Sequence, residues 1–194
     1  MQILERTKNE IEAKTRTMSD FLKIEYLELC SKKFTDIEIQ RFCYKELAKL
    51  YENKFMYTEA LKYITKLKGV CIMQREKVDC LFKEIELLTK SGYYEKADLS
   101  FREAVKELNE NDRFELKKRI TDAYYEEVKK LEKSSKFSGV IKVYENLIHY
   151  VVDNERMQIK RKMLDLYKRL GRVRESMLLE KELEGHPVKS VSVI

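Results

Sequence analysis

One short pattern recurs four times along this chain and restricts it to a narrow set of folds. Its clearest copy reads Leu81, Ile85, Leu88, then Gly92, Tyr94, Ala97, Phe101, Ala104. That spacing describes two amphipathic helices joined by a tight turn at Ser91-Gly92. Upstream, Tyr44, Ala48, Tyr51, Tyr57, Ala60, Ile64 and Leu67 fill the same slots. Downstream they are filled by Tyr124, Val128, Leu131, Phe137, Val140, Tyr144 and Ile148, and last by Leu164, Tyr167, Gly171, Val173 and Ser176. The equivalent small positions Ala60, Ala97, Val140 and Ser176 lie 37, 43 and 36 residues apart. A helix pair of this length cannot bury its apolar stripe alone, so such periods predict a stacked helical array.

Breakers are scarce enough for that reading. Pro187 is the one proline, and five glycines are spread over 194 residues. An all-α chain of about ten helices is therefore expected. Hydrophobic residues make up 43% and charged residues 38%, which fits amphipathic helices with strongly charged outer faces. Uncharged runs such as Leu147 to Val152 are far too short to span a bilayer. Glu5, Arg6, Lys8 and Glu10 stand where a secretory signal needs an apolar stretch, so a cytoplasmic location is expected. Cys30, Cys43, Cys71 and Cys80 form no C-x-x-C pair and fall inside helical patterns, which reads as buried reduced thiols. With His149 and His186 as the only histidines, neither a zinc site nor a thiol nucleophile with its base is expected. There is no glycine-rich phosphate loop either, so the chain reads as no enzyme and calls for no cofactor.

Local signals divide the chain. Residues 1–17 form a polar cap helix. Ser19-Asp20 starts the next helix, and Thr35 with Glu38 reads as a capping box. Gly69 marks a helix end. Asp112 with Glu115 opens a long helix to Lys133, which accounts for the 43-residue spacing. The expected layout is one helical-repeat domain over 1–187, with repeats near 41–74, 78–111, 121–154 and 157–185, followed by a tail, 188–194. Tyrosines at helical spacing read as core residues with wet hydroxyls.

The pattern resembles the tetratricopeptide repeat family over about two thirds of the chain, best at Leu81 to Ala104. The family's turn glycine is matched by Gly92 and Gly171, while Phe55 and Ser135 occupy the other two turns. The closing proline between repeats is missing. The resemblance implies antiparallel helix pairs stacked as a right-handed α-solenoid. It also implies a concave groove lined by the first helix of each pair, which receives a peptide or helix of another protein. Carried onto this sequence, the groove positions are Lys45, Lys49, Phe82, Tyr125, Lys129, Lys133, Arg161, Lys162, Lys168 and Arg169. The asparagines by which the family's carboxylate clamp grips chaperone tails have no counterpart there.

The expected role is thus a protein-interaction module, an adaptor or assembly subunit whose partner segment is acidic. Nucleic acid is the alternative partner. Glu155 to Glu175 carries eight cations against three carboxylates, most of the chain's net charge of +6, and such a helix pair can contact phosphates. Only Tyr167 supplies an aromatic there, which favours the protein partner. Apolar faces on the end helices make a homodimer a third reading. The tail from Val188 to Ile194 alternates apolar and polar residues, as a strand added to a partner's sheet edge does.

Overall fold

The structure, a computed structural model, describes residues 3–185; the tail and its strand-addition reading lie outside the described residues. Those residues are all-helical. The helices are α1 (Lys8–Thr15), α2 (Asp20–Lys33), α3 (Ile37–Asn53), α4 (Tyr57–Val70), α5 (Gln74–Lys90), α6 (Tyr94–Glu107), α7 (Glu110–Lys133), α8 (Phe137–Leu147), α9 (Asp153–Arg169) and α10 (Val173–Glu184). The chain divides into two compact units, Met1–Arg113 and Phe114–Ile194.

The repeat is visible in its turns. One residue between the helices of each pair takes a left-handed backbone: Phe55 (φ 59°), Gly92 (φ 77°), Ser135 (φ 54°) and Gly171 (φ 67°). The next amide donates to the carbonyl five residues back, closing the helix in a Schellman arrangement. The four bonds are Met56 to Tyr51 at 2.9 Å, Tyr93 to Leu88 at 3.0 Å, Lys136 to Leu131 at 2.9 Å and Arg172 to Tyr167 at 2.9 Å. One turn chemistry therefore serves all four pairs, whether or not the residue is glycine. Four residues beyond each of these amides, Ala60, Ala97, Val140 and Ser176 are all buried.

In the first unit α3 packs against α1, α2 and α4, α4 against α5, and α5 against α6. Ile11, Tyr26, Leu27, Cys30, Cys43 and Leu47 form the core under α1 to α3. Ala48, Ala60, Ile64, Leu67, Cys71, Cys80 and Leu87 continue it between α3 and α5. In the second unit α8 packs against α9 and α9 against α10. Tyr124 stacks on Tyr150 there, ring centroids 5.6 Å apart.

Several local expectations are corrected. The side chain that caps α3 is Asp36, which accepts from the Ile39 amide at 3.0 Å, rather than Thr35. α7 starts at Glu110, with the Asn109 side chain accepting from the Asp112 amide. Gly69 lies inside α4, which runs one residue further. A capping box not foreseen opens α1 at Thr7 and Glu10. Four of the tyrosine hydroxyls are taken up by glutamates rather than left to water: Tyr51 and Tyr63 both donate to Glu28, Tyr26 to Glu5, and Tyr167 to Glu145. The bonds of Tyr51, Tyr63 and Tyr167 join two helices and that of Tyr26 ties α2 to the segment before α1, each through a carboxylate, a stronger acceptor than a neutral oxygen.

Candidate partner-binding groove

A groove of about 820 Å³ runs along the first unit. Its walls are α3 and α5, the first helices of consecutive pairs, and its floor includes Ile64, Leu67 and Cys71 of α4. Helical spacing explains the lining. On α3, Arg41, Lys45, Ala48, Lys49 and Glu52 recur at three- and four-residue steps and so share one face. On α5 the same face carries Glu76, Asp79, Cys80 and Lys83.

The charges in the groove balance, with five cations and five carboxylates among its lining residues. Most of them are used within the fold. Arg41 of α3 pairs with Glu76 of α5. Lys83 bonds Glu52 of α3 at 2.7 Å and Glu86 at 3.2 Å, while Lys90 bonds Glu86 at 2.6 Å and Glu52 at 3.4 Å. Burial alone would raise the Glu86 carboxyl, but Lys90 and Lys83 outweigh it and hold the carboxyl below its usual range. This four-member ring ties α3 to α5 and leaves no charge over. Glu46 is taken by Lys23 and Glu38 by Lys8.

Lys45 and Lys49 differ. Both are exposed, both line the groove, and neither has an ion-pair partner among the described residues. Across from them, Oε2 of Glu76 is a buried acceptor without a hydrogen-bond partner among the described residues. The groove thus offers an apolar floor and two unneutralised ammonium groups.

The other positions inferred from the resemblance are scattered. Phe82 is fully buried. It belongs to a core stripe of Val78, Phe82, Ile85 and Thr89, all buried at helical spacing, and a partner does not reach it. Reading Leu81 as the core residue turned this helix by one position; the groove-facing residues are Glu76, Asp79, Cys80 and Lys83.

In the second unit Tyr125 is half-buried and its hydroxyl donates to Glu155. Lys168 bonds Glu180 at 2.7 Å, which holds its ammonium above the usual value. Arg169 lies over the Phe137 ring, 4.0 Å from its centroid. Lys129, Lys133, Arg161 and Lys162 are exposed and have no ion-pair partner among the described residues. Of the basic run, Lys160 is also held, by Glu182 at 2.6 Å, and Arg156 by Asp153 at 3.0 Å.

Among the described residues no helix is long and apolar enough to cross a membrane, and no group of three or more His, Cys, Asp or Glu is placed to hold a metal ion.

No family model matches the chain, and no curated protein matches it. Solved structures similar to it include the following two. MamA from AMB-1, in a P212121 crystal, is 11% identical, with 91% of this chain and 95% of that one covered at a TM-score of 0.38. The crystal structure of BtubC (BKLC) from P. vanneervenii is 13% identical, with 96% and 82% covered at a TM-score of 0.37. The reading of the groove rests on this chain's own residues.

Proposed function

We propose that this chain is a non-enzymatic protein-interaction module, a diverged relative of tetratricopeptide repeats. The groove between α3 and α5 receives a segment of a partner protein carrying bulky apolar side chains beside Asp or Glu. The observation that carries this reading is the pair Lys45 and Lys49, unneutralised above an apolar floor in a groove whose other charges are mostly paired within the fold. A carboxylate of the partner meets the two ammonium groups. The apolar side chains supply the buried area and the charges supply register.

The test is a selection of random peptides on the immobilised protein. Recovered peptides should be enriched in Asp or Glu next to Leu, Ile, Phe or Met. Their affinity should fall at least about tenfold, roughly 1.4 kcal/mol, for a Lys45→Glu, Lys49→Glu variant of unchanged helicity. Peptides that bind the variant equally well place the binding face elsewhere.

Nucleic acid is the weaker reading. Five of the eight cations between Glu155 and Glu175 already contact residues of their own unit, namely Arg156, Lys160, Lys168, Arg169 and Arg172. Only the rest are left for phosphates, so few counterions would be released and the salt dependence should be shallow.

A further inference from the structure

The groove floor holds two thiols. Cys71 caps the C-terminal end of α4, Cys80 lies on α5, both line the cavity, and their Sγ atoms are 3.7 Å apart. Both residues are buried, yet both line the groove. Cys71 has an extended backbone (ψ 127°) at the start of the short connection into α5, so its side chain is not held by a helix on both sides. Two sulfurs in contact across the joint between two helices are placed for a bond rather than for packing alone. Cys30 and Cys43 are equally buried but belong to the core under α1 to α3, away from any groove lining.

We propose that Cys71 and Cys80 are a reversible dithiol: a small-molecule disulfide converts them to an intramolecular disulfide that closes the groove floor. The first attack falls to Cys71. Cys71 sits on the extended connection after α4 and can swing toward the groove, whereas Cys80 is fixed on α5, where burial and then the neighbouring Cys71 thiol push its thiol up. The Cys71 thiolate attacks one sulfur of the small disulfide RSSR and expels RS⁻. The Cys80 sulfur then attacks Cys71 in the mixed disulfide and expels the second RS⁻. The two thiol protons leave with these groups, so two cysteines are oxidised, RSSR is reduced, and two RSH are released.

The bond draws the sulfurs from 3.7 Å to about 2.05 Å and so pulls the end of α4 toward α5. The floor beneath Lys45 and Lys49 narrows. The consequence for binding rests on the groove reading above: the oxidised protein holds its partner segment more weakly.

The test takes the full chain, incubates it folded with oxidised glutathione, and counts thiols by alkylation after denaturation. Wild type should lose two of its four thiols, yield one Cys71–Cys80 linked peptide on digestion, and regain both thiols with reductant. A Cys30→Ala, Cys43→Ala variant should still form the bond, and Cys71→Ser should not. Four thiols persisting in the folded wild type, or a loss that falls on Cys30 and Cys43, overturns the cross-link. In a second arm, a peptide selected on the reduced protein should bind the oxidised protein at least about tenfold more weakly. Equal affinity in both states overturns the control of binding. Failure of the reduced protein to bind any selected peptide overturns the groove reading, and control with it, while the thiol count decides the cross-link on its own.

Discussion

At Phe55 and Ser135 the backbone stands at φ 59° and 54°, where a β-carbon crowds the following carbonyl at a cost of about 1–2 kcal/mol. The sister turns use Gly92 and Gly171, and a β-carbon added at either would meet no atom within 4 Å. The difference among the four turns is therefore local strain, set against the chain freedom a glycine loses on folding, about 0.5–1 kcal/mol. Ser135→Gly should stabilise the protein by about 0.5 kcal/mol, and Gly171→Ala should destabilise it by a similar amount. Denaturant midpoints at unchanged slope read both. Phe55→Gly should come out near neutral, because the Phe55 ring also sits edge-on against Tyr57, centroids 6.3 Å apart. A clear loss in Ser135→Gly would show that the serine contributes something beyond its backbone angle. Glu5 allows a pH test at the same scale. Bonds from Lys14 and Tyr26 hold its carboxyl at about 2. A depressed folded pKa gives stability that is present above the ordinary carboxylate value and lost as pH falls toward 2. Wild type should therefore lose melting temperature relative to Glu5→Gln between about pH 5 and 2. Parallel curves for the two proteins would contradict it.

Among the elements, α5 shows what could be read in advance and what could not. Its existence and the turn after it follow from apolar spacing and from Gly92, while the observed helix starts at Gln74, ahead of the repeat expected near 78–111. Its rotation did not follow. Leu81 and Phe82 are adjacent and both apolar, and choosing between them requires knowing which neighbour the helix packs on. The structure puts Phe82 in the core and turns Lys83 toward α3. Lys45 and Lys49, carried over from the resemblance, stand exposed on α3 along the groove, and their part in binding is the proposal above. The thiol pair and the Glu52–Lys83–Glu86–Lys90 ring were not legible in the sequence, since both depend on two helices meeting. Phe82→Ala should accordingly cost about 3–5 kcal/mol of stability, as a buried ring does. Lys83→Ala should cost less, through the carboxylates Glu52 and Glu86 left side by side. If Phe82→Ala weakens peptide binding while stability is untouched, the burial assigned here is wrong.

Across the whole molecule the tyrosines are the common device. In the first unit Tyr26, Tyr51 and Tyr63, and in the second Tyr125 and Tyr167, bury their rings and donate their hydroxyls to glutamates. Tyr144 is buried as well. All six phenols are pushed above their ordinary value, by burial first and in five of them by the accepting carboxylate next. For Tyr51, Tyr144 and Tyr167 the value reaches about 12. A raised folded pKa means stability that is complete below the unfolded value near 10 and drains away as pH rises through 12. Loss of one proton there leaves a phenolate facing a carboxylate between packed helices, so ionisation and unfolding should be one event. On alkaline titration these six tyrosines should stay silent in phenolate absorbance near pH 10, then ionise together in a step that coincides with loss of helicity. In denaturant the same groups should titrate at the ordinary value. Tyr63→Phe and Tyr167→Phe should each remove one phenol from the late step, reporting the first and second units separately. Ionisation of all twelve tyrosines near pH 10 with the helices intact would mean that the hydroxyl-to-glutamate ties do not hold the helices together.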